Sequence, residues 1–487
     1  MQAHKENNTW NIVRLPAGKK LIGAKWVFKV KRNESGEVVK YKARLVAQGY
    51  SQKQDIDYTE VFAPVTRSTT LRAIQAMAGK HGMVLKQYDA KTAYLNGRID
   101  EELYMRQPPG FEAHGQEEFV CKLQKSIYGL RQSARCWNQA LHTALLDIGF
   151  KQRVSDPCLY ACDTNGVTVY LLVYVDDFLM ACTDETIINS VYTKLRDKFN
   201  ITSLGNVRYF LGHEIVKEVE CYTMQLTTYI DSLVEKFGME ASKPVKTPMD
   251  LGYVAQNDDS KNFQDTLLYR SLVGALLYLA VNGRPDIAAS AGLLGRKVGG
   301  LNKMDWTAAK RVVQYLRTTK DFKLKFGPGK EWILTGYVDS DWAGDKQSRR
   351  SNSGYVFFYG GGPICRVSKR QDSVALSTLE AEYNALSLAC QEAVWLRRLL
   401  KDLDEPQSEA TTIYEDNQGC LSFVKAERIS GRVKHIETKS HYIRELCEKK
   451  VVTLQYCPSV EMIADALTKP LGPTMLKRFV DQLGLSN

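Results

Sequence analysis

Between Thr168 and Cys182 the chain reads TVYLLVYVDDFLMAC, so apolar on both sides of its two acids that the flanking segments must be buried strands turned back on each other. Asp176 and Asp177 then sit at a hairpin tip. A two-residue hairpin turn favours residues that tolerate positive φ, such as Asn-Gly, and Asp-Asp meets no such preference. Adjacent carboxylates also repel. They become favourable where divalent cations neutralise them, and magnesium takes oxygens from one or two carboxylates together with substrate phosphates. The bland alternative is a solvated acidic turn. Asp89 weighs against it, because VLKQYDA is another apolar strand ending in an acid and is followed by AKTAYLNG. A third carboxylate from a different strand end would complete a site for two metals ~3.5–4 Å apart, clamping the attacking and leaving oxygens of a phosphoryl displacement.

The rest of the composition suits a folded protein of several modules. The 487 residues include 66 Lys or Arg and 55 Asp or Glu, a formal +11, with 44% apolar residues. At ~100–200 residues per domain this length predicts about three modules. No run of ~18 apolar residues occurs, and Met1 to Trp10 lack the apolar stretch of a signal peptide, so neither a membrane-spanning nor a secreted protein is expected. Eleven cysteines are spread singly, with Cys158 and Cys162 the closest pair, which fits neither a CxxC zinc pattern nor a disulfide framework and implies a reducing compartment. The positive charge is uneven: residues 1–50 hold 11 Lys/Arg against three acids, +8 of the total. Basic segments interleaved with Trp10, Trp26, Phe28, Tyr41 and Tyr50 suit a phosphate-rich partner. A solvated hairpin face is the alternative.

Apolar–polar alternation predicts a basic β-hairpin over residues 20–50 around Asn33-Glu34-Ser35-Gly36. Helical spacing predicts helices over 69–80, 134–149 and 184–199, and a composition shift over 242–261 marks a boundary loop. Residues 265–320 read as mostly helical. From Trp332 onward the order becomes strand, strand, strand, long helix (377–403), strand (TTIYED), helices, strand (VVTLQY) and helix. That order is an α/β module.

The chain resembles the polymerase and ribonuclease H portion of copia-type LTR retrotransposon Pol polyproteins over nearly its whole length. The matching text includes WVFKVKRNESGEVVKYKARLVAQGYSQ, DIDYTEVFAPV, YDAKTAYLNG, QPPGF, YGLRQSARCW, YVDD, FLGHEI, DSDWAGD, SGYVFFYGGGP, STLEAEYNAL, EDNQG, KHIETKSHYIRE and ADALTKPL. The resemblance implies an α+β architecture, a right-hand polymerase of fingers, palm and thumb followed by a mostly helical connection and an α/β ribonuclease H-like domain. It implies boundaries of 1–245 for the polymerase, 246–330 for the connection, 331–475 for the nuclease and 476–487 for a C-terminal tail.

It also implies roles. Asp89, Asp176 and Asp177 fall on the metal-binding triad of the palm, and Tyr94 falls where an aromatic ring lies under the incoming sugar and excludes a 2′-hydroxyl. Lys42 and Arg44 fall on the fingers hairpin as triphosphate contacts, the forked guanidinium suiting phosphate oxygens. Tyr128, Gly129 and Gln132 fall on the loop beneath nucleotide and template, and Phe210 to Ile215 on the hairpin that holds the primer end. In the second module Asp339, Glu382, Asp416 and Asp465 come from four elements and resemble the two-metal site of ribonuclease H. Each has an acidic neighbour with a structural reading: Asp341 as a local hydrogen-bond acceptor, Glu380 in a capping box with Ser377, Glu415 facing solvent. His435 and His441, six residues apart, do not share a helical face and are read as orienting groups.

The implied activity is RNA- and DNA-templated DNA synthesis followed by cleavage of RNA in RNA–DNA hybrids. Mg²⁺ would be the cofactor, two ions per site, with Mn²⁺ able to replace it. The implied partners are RNA template, DNA primer, RNA–DNA hybrid and dNTPs, with the element's own integrase and capsid proteins and no membrane. The expected location is the cytoplasm, within virus-like particles, with nuclear entry. The family usually reads Gly where Asp55 stands, Pro where Ala134 stands and Trp where Arg366 stands, departures that predict instability near Ala134 and Arg366. Without capsid, protease or integrase segments and without a CCHC or HHCC zinc arrangement, the chain reads as a fragment, a processed product or a truncated copy. The rival is a degenerate or host-adopted copy that binds nucleic acid without catalysis.

Overall fold

The computed structural model describes residues 1–32, 37–253, 263–297, 301–327, 332–425 and 437–486. The turn Asn33–Gly36, the later half of the boundary loop and His435 lie outside the described residues. The chain forms two compact units, residues 1–66, 84–153 and 157–206 in the first and 67–83, 154–156 and 207–487 in the second. Helix α1 (Ser68–Lys80) belongs to the second. Helices and mixed sheets make the chain α+β, and no helix among the described residues is long and apolar enough to cross a membrane.

In the first unit, β1 (Ala24–Arg32) and β2 (Val38–Ala47) form the basic hairpin. Pairing of Lys29 with Lys42 and Val27 with Arg44 puts Lys42 and Arg44 on one face, while Phe28, Val30 and Tyr41 occupy the other and are exposed. The larger sheet uses β3 (Val84–Ala90), β4 (Lys151–Gln152), β5 (Leu159–Thr164), β6 (Val167–Tyr174), β7 (Asp177–Cys182) and β8 (Ile201–Asn206) in the order β8-β3-β7-β6-β5-β4. The buried central strands carry near-continuous apolar side chains because helices α2 (Ser133–Ile148) and α3 (Glu185–Lys198) cover the core, supplying Trp137, Leu141, Leu145, Ile188, Val191 and Leu195. Gly149 ends α2 in the left-handed region at φ +105°, where a side chain would be strained.

In the second unit, β9 (Tyr209–Phe210), β10 (His213–Lys217), β11 (Tyr222–Gln225) and β12 (Leu324–Phe326) form one sheet. Helices α4 (Thr227–Lys236), α5 (Thr266–Asn282), α6 (Ala288–Gly295) and α7 (Lys303–Thr318) lie between β11 and β12 in sequence. The helical run therefore returns, through the pairing of Met224 with Leu324, to the sheet that opens with the FLGHEI hairpin. The remainder of this unit has β13 (Thr335–Asp341), β14 (Asn352–Tyr359), β15 (Gly362–Arg370), α8 (Thr378–Asp402), β16 (Thr411–Glu415), α9 (Gln418–Lys425), α10 (Glu437–Glu448), β17 (Val452–Tyr456), α11 (Asp465–Thr468) and α12 (Pro473–Gln482). Strand order is β15-β14-β13-β16-β17, an antiparallel meander of three with β16 and β17 added parallel to β13. Helix α8 crosses β13 and β14 on a stripe that includes Ala385, Ala389, Ala393, Leu396 and Leu400, all buried, at helical spacing.

Two expectations change here. Residues 476–486 of the expected C-terminal tail are packed: Leu476, Phe479, Val480 and Leu483 follow a helical period and are buried, and Lys323 N–H donates to the Ser486 carbonyl at 3.0 Å. Ala134 introduces no local defect, because it occupies the first turn of α2, where proline's fixed φ is useful but alanine is the best helix former. Asp55 does carry strain, with φ +63°, the conformation for which glycine is suited.

Arg366 behaves as expected of a misplaced cation. Its Nε and Nη1 are buried without partners while Nη2 donates to Val281 O at 3.3 Å, and Arg72 already donates to Val281 O at 2.9 Å and Asn282 O at 3.1 Å at the carboxyl end of α5. Burial, then Arg72, pushes the Arg366 guanidinium well below its ordinary pKa, and both arginines help hold neutral the fully buried His213. Leaving such donors unpaired costs ~1–3 kcal/mol. Arg366→Trp is expected to raise the calorimetric melting midpoint, by ~2–4 °C per kcal/mol recovered. A lowered midpoint would contradict this reading.

Candidate functional site

In the first unit, sheet register places the acids. Asp89 on β3 pairs directly with Asp177 on β7, and Ala90 N–H donates to Asp176 O at 2.7 Å, so the end of β3 meets the β6–β7 turn. Directly opposed residues of an antiparallel pair share a face, with Cβ atoms ~4.5–5.5 Å apart. The turn residues are Val175 and Asp176, because Tyr174 pairs with Asp177. Val175 takes φ +55°, a conformation disfavoured for a β-branched side chain. The strain at the tip thus falls on valine, and the buried Trp137 on α2 fastens it by donating its indole N–H to Val175 O at 2.7 Å.

Two further side chains face Asp176, and a third packs against them. The Tyr94 and Tyr128 rings lie 4.9 Å apart, and burial followed by the Asp176 charge raises both hydroxyl pKa values. The Arg44 guanidinium lies 5.4 Å from the Tyr128 ring centre, and Lys42 is two residues earlier on the same strand face. An acidic tip, two tyrosines and a guanidinium are therefore continuous. Gly129 is required for this approach: its φ is +94°, and a Cβ there would lie 2.1 Å from Ala47 O on β2. Gln132 departs from the substrate contact expected of it. It is fully buried, its amide nitrogen donating to Asp57 O at 3.0 Å and Glu101 Oε2 at 3.2 Å while its oxygen accepts from Gln52 at 3.1 Å. Its role is to brace the loop, since its polar atoms are already spent inside the protein.

In the second unit, Asp339, Glu382 and Asp416 offer ligand oxygens that all lie within 4.8 Å of one another, the one such set of three among the described residues. Asp339 comes from β13, Glu382 from the first turns of α8, and Asp416 from the residue after β16. Asp465 opens α11 beside them, and the Thr468 hydroxyl donates to Asp339 Oδ2. Gly354 makes room for α11, since a Cβ there would lie 2.7 Å from Thr468 Cγ2. Burial, then Asp465, raises Asp339 to about 7, and burial, then Glu415, raises Glu382 to about 11. Glu382 Oε2 is buried with no hydrogen-bond partner. An all-oxygen set with an unpartnered buried carboxylate oxygen fits a hard divalent cation.

The neighbouring acids separate. Asp341 accepts from the Asn352 N–H, and Glu380 accepts from Leu376 N–H at 2.7 Å while its own N–H reaches Ser377 Oγ at 3.2 Å, a capping arrangement. Glu415 does not face solvent: it is fully buried, accepts from Asn417 N–H at 3.1 Å, and adds negative charge against Glu382. Alternation along β16 carries the signal, because Thr411, Ile413 and Glu415 are the inward positions. Trp137 had no such signal. His441 joins no cluster of three metal-ligating groups among the described residues.

Residues 7–251 match the family described as reverse transcriptase (RNA-dependent DNA polymerase). The chain is 38% identical over 479 residues to the retrovirus-related Pol polyprotein from transposon TNT 1-94 of Nicotiana tabacum, covering 96% of this chain and 36% of that protein. It is 34% identical over 480 residues to the corresponding polyprotein from transposon RE2 of Arabidopsis thaliana, covering 98% and 33%. The chain thus spans about a third of the length of these curated relatives. Among solved structures, the foamy viral protease-reverse transcriptase in complex with dsDNA aligns over 92% of this chain and 79% of that one, with 12% identity and a TM-score of 0.47. Sheet, hairpin and acidic tip make an α+β domain with its carboxylates gathered at one strand end. The chain belongs to the reverse transcriptase family, in the form carried by Pol polyproteins of copia-type transposons.

Two outcomes test these sites. Trp137→Phe keeps an aromatic ring but removes the bond to Val175 and part of the buried indole, so it should cost at least ~1–3 kcal/mol and depress any chemistry at Asp176 more than tenfold in the folded protein; unchanged chemistry would show that the turn needs no fastening. In the second cluster, folded Asp339 releases its proton near 7, whereas an unfolded aspartate does so near ~4. The folded state then binds more protons between those values, so this group's contribution to stability falls as pH rises from about 4 to about 7. Without divalent ions, the wild-type midpoint should decline over that window relative to Asp339→Asn, and Mg²⁺ at pH 7 should restore it. Parallel curves would refute the assignment.

Proposed function

We propose that this chain is an RNA-directed DNA polymerase, able also to copy DNA, of a copia-type retrotransposon, and that its second unit cleaves RNA in RNA–DNA hybrids. The observation that carries the polymerase reading is the opposition of Asp89 and Asp177 at a strained tip, with Tyr94 and Tyr128 beside Asp176 and Arg44 against the Tyr128 ring. For the nuclease it is the convergence of Asp339, Glu382 and Asp416 on the mixed five-stranded sheet.

Divalent ions bound by Asp89, Asp176 and Asp177 would supply the charge that activates a primer 3′-hydroxyl and offsets charge on the transferring phosphoryl group. Arg44, with Lys42 behind it, holds triphosphate oxygens through forked and point-charge contacts. Tyr94 floors the sugar, and its ring excludes a 2′-hydroxyl. Tyr128 steers Arg44 by lying against the guanidinium. In the second unit Asp339, Glu382, Asp416 and Asp465 would hold the ions at a phosphodiester of the RNA strand. Nucleic acid would be held by backbone contacts to the basic hairpin rather than by base readout.

The test is primer extension on poly(rA)·oligo(dT) with Mg²⁺, run beside Asp176→Asn, and cleavage of a labelled RNA–DNA hybrid, run beside Asp339→Asn. Asp176→Asn is expected to lower extension by at least a hundredfold and spare hybrid cleavage, and Asp339→Asn the reverse. Equal extension by wild type and Asp176→Asn, or extension by neither, refutes the polymerase; the second result would favour a copy that only binds nucleic acid.

A further inference from the structure

The second acidic cluster contains a cation of its own. Lys469 follows Asp465 by one helical turn, its Nζ lies 2.8 Å from Asp465 Oδ1, and its side chain is 46% exposed. It sits just beyond α11, the short helix whose Thr468 hydroxyl donates to Asp339. The tight set of three carboxylates excludes Asp465, the acid that Lys469 holds. The ion pair offsets the charge of Asp465 from the protein side, although its Oδ1, like Glu382 Oε2 and Glu415 Oε2, is buried and makes no hydrogen bond.

We propose that Lys469 is the resident counter-ion of this cluster: it takes the electrostatic place of one of two divalent ions, leaving Asp339, Glu382 and Asp416 to bind a single ion tightly in the absence of nucleic acid. The inference rests on the nuclease reading above. Its physical basis is competition for one carboxylate. A second cation at Asp465 must displace an ammonium already 2.8 Å away and must also bear the repulsion of that ammonium at close range. The exposed lysine stem can swing outward, so the exclusion is a matter of affinity, and a phosphate arriving at the cluster would draw the ammonium away from Asp465.

The probe is Mn²⁺ alone, with binding to the full chain followed by the loss of the free-ion paramagnetic resonance signal, in an Asp176→Asn, Asp177→Asn background that silences the first acidic site. That background is expected to bind one Mn²⁺ tightly, the further variant Lys469→Met two, and Lys469→Arg one. Because Lys469 is half exposed, Lys469→Met is expected to melt within a few degrees of its parent, and Lys469→Arg separates loss of charge from loss of packing. Two tight ions in the parent, or the same number in parent and Lys469→Met, overturns the proposal. Adding Asp339→Asn should remove tight binding. Ions that persist without Asp339 would overturn the nuclease reading itself, a result distinct from failure of the lysine's role.

Discussion

Like charges held side by side are what both units of this protein are built to tolerate. Asp89 and Asp177 stand opposite each other in a ladder that could have paired any two residues, and opposed like charges disfavour a sheet by ~0.2–1 kcal/mol. The adjoining turn adds a left-handed valine. Nothing in the packing of β3 against β7 requires either feature. They persist because the strands on both sides are apolar and buried, with Tyr88, Phe178, Leu172 and Leu179 nearly inaccessible, so that the register of the core dictates where the carboxylates emerge.

The second unit reaches the same end by another route. There the acids are themselves buried, and desolvation rather than turn strain is the dominant cost, which is why Asp339 and Glu382 hold their protons so firmly. The compensation is local: a hydroxyl from Thr468 on Asp339, a hydroxyl from Ser459 on Asp416 at 2.6 Å, and an ammonium from Lys469 on Asp465. A cluster that is costly when empty of cations gains most from acquiring one. Stability and metal affinity are then two sides of a single electrostatic quantity.

Much of this was legible in the sequence. The apolar run around Asp176 and Asp177 has only one comfortable fate, and helical periods placed α2, α3 and α8 to within a residue or two. What sequence patterns could not convey were partners far along the chain. Gln132 belonged to a loop motif, but only the fold reveals that Gln52, Asp57 and Glu101 consume its polar atoms. Trp137 is an unremarked helix residue until the Val175 carbonyl arrives above it. Glu415 and the last helix are readable from periodicity: alternation along β16 points Glu415 inward, and Leu476, Phe479, Val480 and Leu483 keep a helical period, against what charge and a position near the terminus suggest.

Two places in the fold gather acids whose charge a divalent cation would offset. Anomalous diffraction from crystals of the full chain soaked in Mn²⁺ addresses both at once. It should give peaks in contact with the carboxylates of Asp89 and the Asp176–Asp177 tip, and with those of Asp339, Glu382 and Asp416. Peaks confined to other acids, or absent from both clusters at saturating Mn²⁺, would contradict that assignment.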